Sequence, residues 1–463
     1  MNRKRVMIAA PKSGSGKTTI TCALLQALKK QGQQVISYKC GPDYIDPMFH
    51  AKVLDIPSKN LDTFFTGEEK TRALFLKNSR EEDFAVLEGV MGLFDGLGGI
   101  REEGSSYHLA KVTKTPIILV VDAKGMGRSV IPMIAGFLAY DREHLIAGVL
   151  LNRMSKSYYE VVKPLIEEEC QISVVGYFPE NKKLHLESRH LGLMMPDEIA
   201  NVREQLRESA CELEKTVSLE RILEIAECAE VLAGYDYQEH NGVQEGEKVS
   251  TDKPIIAVAR DEAFCFYYED NLLLLQENGA RLVYFSPLHD KKLPEGCDGL
   301  LLGGGYPELH GEAFSSNTGM LAEIKQAFEN KMPVVAECGG FLYLHSAMID
   351  KEGKSRKMAG VLPFSCRDTQ KLVRFGYIEL EEKQSWFLPE GERIRGHEFH
   401  YFDSECNGSD CLAVKPVTGK NYPCVLAGEH FWLGFPHLYY PSNPAFAQSF
   451  VDKARRYRER KEK

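Results

Sequence analysis

The sequence predicts an α/β protein made of two sheet-and-helix domains, and three observations carry that reading. Strand-length runs of β-branched and aliphatic residues alternate with helical patterns over the first 180 residues. The alternation lapses near residue 231 and restarts at Pro254. Two runs, one in each half, open directly into glycine-rich turns that lead into helical patterns, at residues 10–19 and 333–344. A chain of 463 residues is also too long for one ordinary core, which calls for two or three domains.

In chain order, VMIAA (6–10), VISYK (35–39), AVLEG (85–89), PIILVVD (116–122), LIAGVLLN (145–152) and ISVVGYFP (172–179) read as strands. Their apolar residues are nearly continuous, as suits parallel strands buried on both faces. A helix starts at Lys17, and a crossover over residues 129–141 covers the sheet. Residues 199–229 become polar with a helical period, and GYDYQEHNGVQEGEKVSTDKP (234–254) loses apolar periodicity, as a linker does. The predicted division is therefore a first domain over 1–230, a linker over 231–252 and a second domain over 253–463. Within the second, IIAVAR (255–260), RLVYFSP (281–287), GLLLGGG (299–305) and PVVAE (333–337) predict another parallel sheet. VLPF (361–364), RFGYIEL (374–380) and RIRGHEFHY (393–401) read as antiparallel strands.

Composition narrows the function classes. Hydrophobic residues make up 43% and charged residues 27%, the mixture of a soluble globular chain. The formal charge of -9 offers no broad attraction to nucleic acid or anionic lipid, so neither is an expected partner. Anionic ligands must instead be met locally, by loops and helix N-termini. A basic start followed by a five-residue apolar run is unlike a signal peptide, and no apolar stretch approaches the roughly 20 residues of a membrane span. The expected compartment is the cytoplasm. Twelve scattered cysteines, without a CxxC pair or zinc-finger spacing, are expected to be reduced thiols.

The segment APKSGSGKTT (10–19) sits between a strand and a helix, the context a phosphate-binding loop requires. Its N–H groups at Gly14, Ser15, Gly16 and Lys17 can converge on phosphate oxygens; Lys17 adds a charge and Thr18 a hydroxyl for magnesium. Pro11 stands where the common pattern begins with Gly, and Lys12 and Ser13 complete the loop. Lys12 occupies the place of a second lysine that, in deviant phosphate loops, reaches across a dimer, which makes a homodimer a candidate assembly; a solvent-exposed lysine is the plainer account. YKCGPDYIDP (38–47) and LEGVMGLFDG (87–96) follow two further strands and offer Lys39, Asp43, Asp46, Glu88 and Asp95. Any one of these acids alone reads as a cap or turn residue. Their shared place at the C-terminal ends of strands, where open α/β sheets bind ligands, points instead to a magnesium and nucleotide site.

In PVVAECGGFLYL (333–344) a strand runs into Cys338 and two glycines and then a helical pattern, the outline of a nucleophile elbow. The plain alternative is a buried structural thiol. LLGGGYPE (301–308) supplies a second glycine-rich turn, so N–H groups of Gly304, Gly305 and Gly339 are the candidate oxyanion hole. A cysteine nucleophile needs a base, and FWLGFPHLYY (431–440) supplies His437, with His397 and His400 in RGHEFHY as rivals. HEFH leaves only two residues between its histidines and is not the HExxH zinc signature.

Together APKSGSGKTT, GPDYIDPMFH, LEGVMGLFDG, LLGGGYPE, AECGGFLYL and GHEFHY resemble the cobyrinic acid a,c-diamide synthase family over essentially the whole chain. The resemblance implies a dethiobiotin-synthetase-like phosphate-loop ATP domain joined to a class I glutamine amidotransferase domain of the triad kind. It implies Cys338 as nucleophile, His437 as its base, and ATP at residues 11–18. It also implies that Asp43, Tyr44, Asp46, Glu88 and Asp95 lie in segments linked to magnesium, substrate or the intermediate: Asp43, Tyr44 and Asp46 toward substrate, Thr18, Asp43 and Glu88 toward the metal, Asp95 toward catalysis. Tyr439 stands where many class I amidotransferases carry Glu, so the resemblance favours a Cys-His dyad.

The implied reaction uses ATP and Mg2+ to convert a carboxylate of cobyrinic acid to an acyl phosphate, while L-glutamine yields ammonia at Cys338. Ammonia would travel by a protected passage, since ammonium is not nucleophilic. Nickel-sirohydrochlorin a,c-diamide synthases and cobyric acid synthases are the neighbouring readings. A phosphate-loop ATPase that switches partners is the reading from another class, supported by Lys12 and leaving Cys338 structural.

Overall fold

The computed structural model describes residues 3–79, 84–180, 188–189, 192–193, 202–232 and 253–462. The linker expectation falls almost wholly on residues 233–252, outside the described residues. Chain contacts divide the molecule into two compact units, residues 1–242 and 243–463.

The first unit holds a seven-stranded parallel sheet. In chain order its strands are β1 (Lys4–Ala9), β2 (Val35–Cys40), β3 (Ser58–Leu61), β4 (Phe84–Glu88), β5 (Ile117–Asp122), β6 (Ile146–Asn152) and β7 (Val174–Phe178), arranged β3-β2-β4-β1-β5-β6-β7. Every residue of β2 and β4 is buried, including Ser37, Lys39 and Glu88 among their apolar residues. The crossovers carry α1 (Lys17–Lys30), α2 (Ile45–Val53), α3 (Thr63–Asn78), α4 (Ser106–Val112), α5 (Val130–Tyr140) and α6 (Lys156–Cys170). Strand order reverses about β1, so the loops after β1, β2 and β4 meet at one end of the sheet, where such sheets bind ligands. A short pair, β8 (Ser188–Arg189) and β9 (Gly192–Leu193), is antiparallel. The helical stretch expected from residue 199 is α7 (Val202–Thr216) and α8 (Leu219–Glu227), with 199–201 outside the described residues.

In the second unit β10 (Ile255–Ala259), β12 (Arg281–Phe285), β13 (Gly299–Leu302), β15 (Val334–Glu337) and β25 (Phe431–Gly434) are parallel. The order is β12-β10-β13-β15-β25-β24, with β24 (Leu426–Gly428) antiparallel at the edge. Its two faces are covered by separate apolar clusters, one including Phe264, Phe314 and Phe341, the other Trp432, Phe446 and Phe450. The helices are α9 (Glu269–Glu277), α10 (Gly311–Ser316), α11 (Thr318–Glu329), α12 (Gly339–Leu344) and α13 (Ala445–Lys461).

The late strands are antiparallel, as their patterning predicts. β19 (Arg374–Glu382) pairs β20 (Arg393–His400), and β22 (Cys411–Val414), β23 (Asn421–Cys424) and β26 (His437–Leu438) complete that sheet. Smaller pairings involve β11 (Phe264–Phe266) with β14 (Gly304–Gly305), and β16 (Ala347–Ile349), β17 (Ser355–Lys357), β18 (Ser365–Asp368) and β21 (Phe402–Ser404). The expected strand VLPF is corrected. Residues 361–364 form bends, and the strand begins at Ser365. Pro363 has no N–H to give a ladder, and Leu362 is instead buried with its N–H on the Leu344 carbonyl at 2.9 Å.

Candidate functional sites

The phosphate loop leaves β1 and ends on α1, whose N-cap is Gly16 at φ 93. Gly14 also has a positive φ, 75, a backbone state that side chains rarely adopt. Gly16 is further fixed by crowding, since a Cβ there would lie 2.1 Å from Asn152 Nδ2. Asn152 ends β6 and donates to the Ser15 carbonyl at 2.7 Å, while Arg153 reaches the Gly14 carbonyl at 2.8 Å and Asp122 at 2.7 Å. The loop is therefore held from the neighbouring strand ends. Asn152 was identifiable in the sequence as a polar residue closing an apolar run; its partner was not.

Lys17 is buried, with its ammonium on the Met91 carbonyl at 2.5 Å and the Lys12 carbonyl at 3.3 Å. Burial, and then the charge of Lys39, lower its pKa to about 8. Thr18 Oγ1 donates to Glu88 Oε1 at 2.6 Å and lies 3.5 Å from Asp46 Oδ2. Lys39, at the end of β2, sits on Asp46 at 2.5 Å and Glu88 at 2.8 Å. Burial works against its charge, yet Asp46, Glu88 and Asp43 together hold its pKa well above the usual value.

The four predicted acids thus play three different parts. Asp46 and Glu88 converge with Thr18, and Asp46 Oδ1 and Glu88 Oε2 are buried without a hydrogen-bond partner among the described residues. Asp43 Oδ1 accepts the N–H groups of Ile45 and Asp46 at 2.8 and 3.2 Å, the work of a helix cap, and its other oxygen is 4.0 Å from Lys39. Burial, and then the charge of Asp46, raise Asp43 to about 7. Tyr44 is buried at the start of α2. Asp95 is exposed, accepts the Gly92 N–H at 2.9 Å, and lies close enough to Lys17 to favour its charge. Lys12 and Ser13 are exposed on the loop.

Among the described residues no cluster of three or more His, Cys, Asp and Glu has metal-holding geometry. A hydroxyl and two carboxylates with bare buried oxygens nevertheless fit magnesium, which keeps water and phosphate oxygens in its shell. His50 lies beneath them, its Nε2 3.6 Å from Glu88 Oε2 and its Nδ1 sharing a hydrogen bond with Ser37 at 2.9 Å. It sits inside the quoted GPDYIDPMFH segment, yet nothing in its spacing distinguished it.

In the second unit Cys338 follows β15 at φ 47 and ψ -100, a strained conformation that costs on the order of 1–3 kcal/mol. The turn is tied on both sides: Cys338 N–H donates to the Gly434 carbonyl at 2.8 Å and Gly340 N–H to the Gly303 carbonyl at 2.9 Å. Close approach explains the glycines. A Cβ on Gly304 would lie 2.4 Å from His437 Cε1, and one on Gly339 would lie 3.1 Å from Gly305 N. The turn at 304–305 thus abuts both the elbow after Cys338 and the ring of His437.

Three residues beyond Gly434, His437 opens β26, where it pairs with His397 of β20; the two rings stack at 4.9 Å and 14°. Burial, and then His400, depress His437 to about 3, so the ring is neutral. Burial, and then Glu308, push the Cys338 thiol well up. His397 meets the Tyr268 hydroxyl at 3.2 Å, and His400 stacks on Phe435 at 4.0 Å with Nδ1 on the Phe402 carbonyl at 2.7 Å. Tyr439 donates to Asp270 at 2.9 Å. All twelve cysteines are free thiols, and among the described residues no helix is long and apolar enough to cross a membrane.

A parallel sheet with a phosphate loop in one unit and a second sheet with a strained cysteine elbow in the other define a two-domain protein that pairs nucleotide binding with glutamine amidotransfer. Family models agree: residues 6–193 match the CobQ/CobB/MinD/ParA nucleotide binding domain and residues 255–423 the CobB/CobQ-like glutamine amidotransferase domain. The chain is 38% identical to the cobyrinate a,c-diamide synthase of Caldanaerobacter subterraneus, covering 96% of this chain and 97% of that one. It is 37% identical to the Listeria innocua enzyme of the same name over 98% and 100%, and 34% identical to that of Priestia megaterium over 98% of each. The chain belongs to the cobyrinate a,c-diamide synthase family.

Proposed function

We propose that this chain is an ATP- and glutamine-dependent amide ligase that amidates the a and c acetate carboxylates of cobyrinic acid in cobalamin biosynthesis, acting in the cytoplasm. The observation that carries the reading is the coexistence, in a chain matching its relatives over nearly their full length, of the Thr18–Glu88–Asp46 cluster under a phosphate loop and a glycine turn at 304–305 that abuts both the His437 ring and the elbow after the strained Cys338.

In the first unit the loop N–H groups of residues 14–17 and the start of α1 receive ATP phosphates, and Lys17 leaves the Met91 carbonyl to meet them. Thr18, Glu88 and Asp46 would hold Mg2+, which when bound offsets phosphate charge. A substrate carboxylate attacks the γ-phosphorus, ADP leaves, and the carboxyl carbon then carries phosphate, a far better leaving group than hydroxide. Asp95, exposed near Lys17, is placed to steady the reacting groups. Asp43 and Tyr44 border the same strand end on the substrate side.

In the second unit both pKa shifts favour the neutral forms of the Cys338 thiol and the His437 imidazole. The proton therefore moves to His437 as sulfur attacks the glutamine amide carbon, and Gly305 and Gly339 N–H groups stabilise the oxyanion. Collapse expels ammonia with the proton returned by His437, and water then releases glutamate from the thioester. Ammonia displaces phosphate from the acyl phosphate, and a second round on the other carboxylate completes the diamide.

The test is incubation with amide-15N glutamine, ATP and a substrate panel. Two labelled amides per cobyrinic acid are expected. Turnover of nickel-sirohydrochlorin alone would move the assignment to that macrocycle, and of the a,c-diamide alone to a later amidation. A partner-switching ATPase would incorporate no label, and Cys338→Ser would leave its ATP hydrolysis intact.

A further inference from the structure

In the second unit two buried side chains hold the backbone that directly follows His437. Asn271, buried on α9, donates from Nδ2 to the Leu438 carbonyl at 2.8 Å, and its Oδ1 accepts the Tyr440 N–H at 2.8 Å. One amide side chain therefore grips the backbone on both sides of Tyr439, directly after His437, as a paired strand would. From the other side Glu337, the buried residue before Cys338, accepts the Tyr440 hydroxyl at 3.3 Å and the Leu438 N–H. Burial, more than any charge, raises Glu337 to about 8, so it is the neutral carboxyl form that fills this place near pH 7. Tyr439 is held besides through its hydroxyl on Asp270, the neighbour of Asn271.

We propose that Asn271 and Glu337 are positioning residues for glutamine hydrolysis, fixing the His437 ring against the Gly304 turn by clamping residues 438–440 to α9 and to β15. In a triad an acid orients the imidazole through one of its nitrogens. Here the orientation comes through the backbone that carries the histidine: Glu337 is adjacent in sequence to the nucleophile and hydrogen-bonded to the segment of the base, so the two catalytic groups are set by one buried carboxyl. Neither residue touches the reacting atoms, and the inference rests on the reading of Cys338 and His437 given above.

A residue that acts through His437 must lose its effect when His437 is absent, which a double-mutant cycle measures. Steady-state glutaminase kinetics of the full chain are expected to show Asn271→Leu lowering kcat at least 30-fold with KM within about twofold. In a His437→Ala background the same change is expected to alter the residual rate less than threefold. Glu337→Gln, which keeps an acceptor, is expected within threefold of wild type, and Glu337→Leu to fall with Asn271→Leu. Amidation from free ammonia should stay unchanged in the Asn271 and Glu337 single variants. Full kcat in Asn271→Leu, a KM rise in its place, an additive loss in the His437→Ala background, or equal damage from Glu337→Gln and Glu337→Leu would each overturn the proposal. If Asn271→Leu does not fold, Asn271→Ser enters the same cycle with the same criteria. A wild-type chain that fails to hydrolyse glutamine would instead sink the glutaminase reading itself.

Discussion

The Thr18 hydroxyl donates to Glu88 Oε1 at 2.6 Å, joining the first residue pair of α1 to the last residue of β4. Glu88 is also half of the cage around Lys39, so one buried carboxylate serves both the loop and the lysine. Replacing it with Gln keeps the shape and removes the charge. Glu88→Gln is expected to cut ATP-dependent amidation at least 100-fold, about 2.7 kcal/mol of transition-state stabilisation, while glutaminase turnover persists. Parallel assays of amide formation and glutamate release check this; undiminished amidation would remove Glu88 from the nucleotide site.

Lys17→Ala should abolish ATP-dependent amidation while sparing the fold. Among the described residues Lys17 forms no ion pair, and its ammonium rests on two carbonyls. Removing it leaves carbonyls that water can reach at the loop surface, a cost of roughly 1 kcal/mol. Nucleotide titration and thermal unfolding of the variant separate the two effects.

Cys338→Ala is expected to stop glutamine use and leave ammonia-supported amidation near the wild-type rate. The substitution also relieves little strain, because alanine at φ 47 is no more comfortable than cysteine. Loss of ammonia-supported amidation as well would argue against two separate sites.

The parallel cores were legible because burial on both faces leaves little room for polar residues, as in IILVV of β5. β3 was not: its four residues, SKNL, carry no apolar run, and they form a strand only because β2 offers them a ladder at the sheet edge. Acids at strand ends could be located but not ranked. Asp43 and Asp46 look alike in the sequence, yet Asp43 is taken up by the N–H groups at the start of α2 while Asp46 meets Lys39 at 2.5 Å. Likewise three late histidines were interchangeable until the pairing of β20 with β26 placed the His437 ring against Gly304. Asn271 and Glu337 lay in ordinary helix and strand patterns, since hydrogen bonds across more than a hundred residues leave no local signal.

Gly304→Ala places a Cβ 2.4 Å from His437 Cε1, a contact that must be relieved by moving the ring or the turn. Glutamine kcat is expected to fall at least tenfold with the fold retained, since the nearest neighbours of that Cβ all belong to the His437 ring rather than to backbone. Gly340→Ala is the harsher change, because its Cβ would lie 2.1 Å from the rigid Leu302 carbonyl oxygen. Chemical denaturation should show it destabilised by about 1–3 kcal/mol, as overpacking usually does. Equal, wild-type behaviour of both variants would contradict the close approach of these turns.

His400 makes a pH prediction whose sign can be worked out. Burial depresses its pKa to about 4 from the usual 6.5. The unfolded chain therefore takes up a proton there between pH 6.5 and 4 that the folded chain does not. Stability from this group is intact above pH 6.5 and declines as pH falls toward 4, by roughly 3 kcal/mol in all. The His400→Gln variant keeps a polar side chain without that proton. Its unfolding free energy should trail the wild type most at pH 7 and converge on it, or pass it, near pH 4. Denaturant melts across that range test this, and a constant difference would show that His400 is protonated equally in both states.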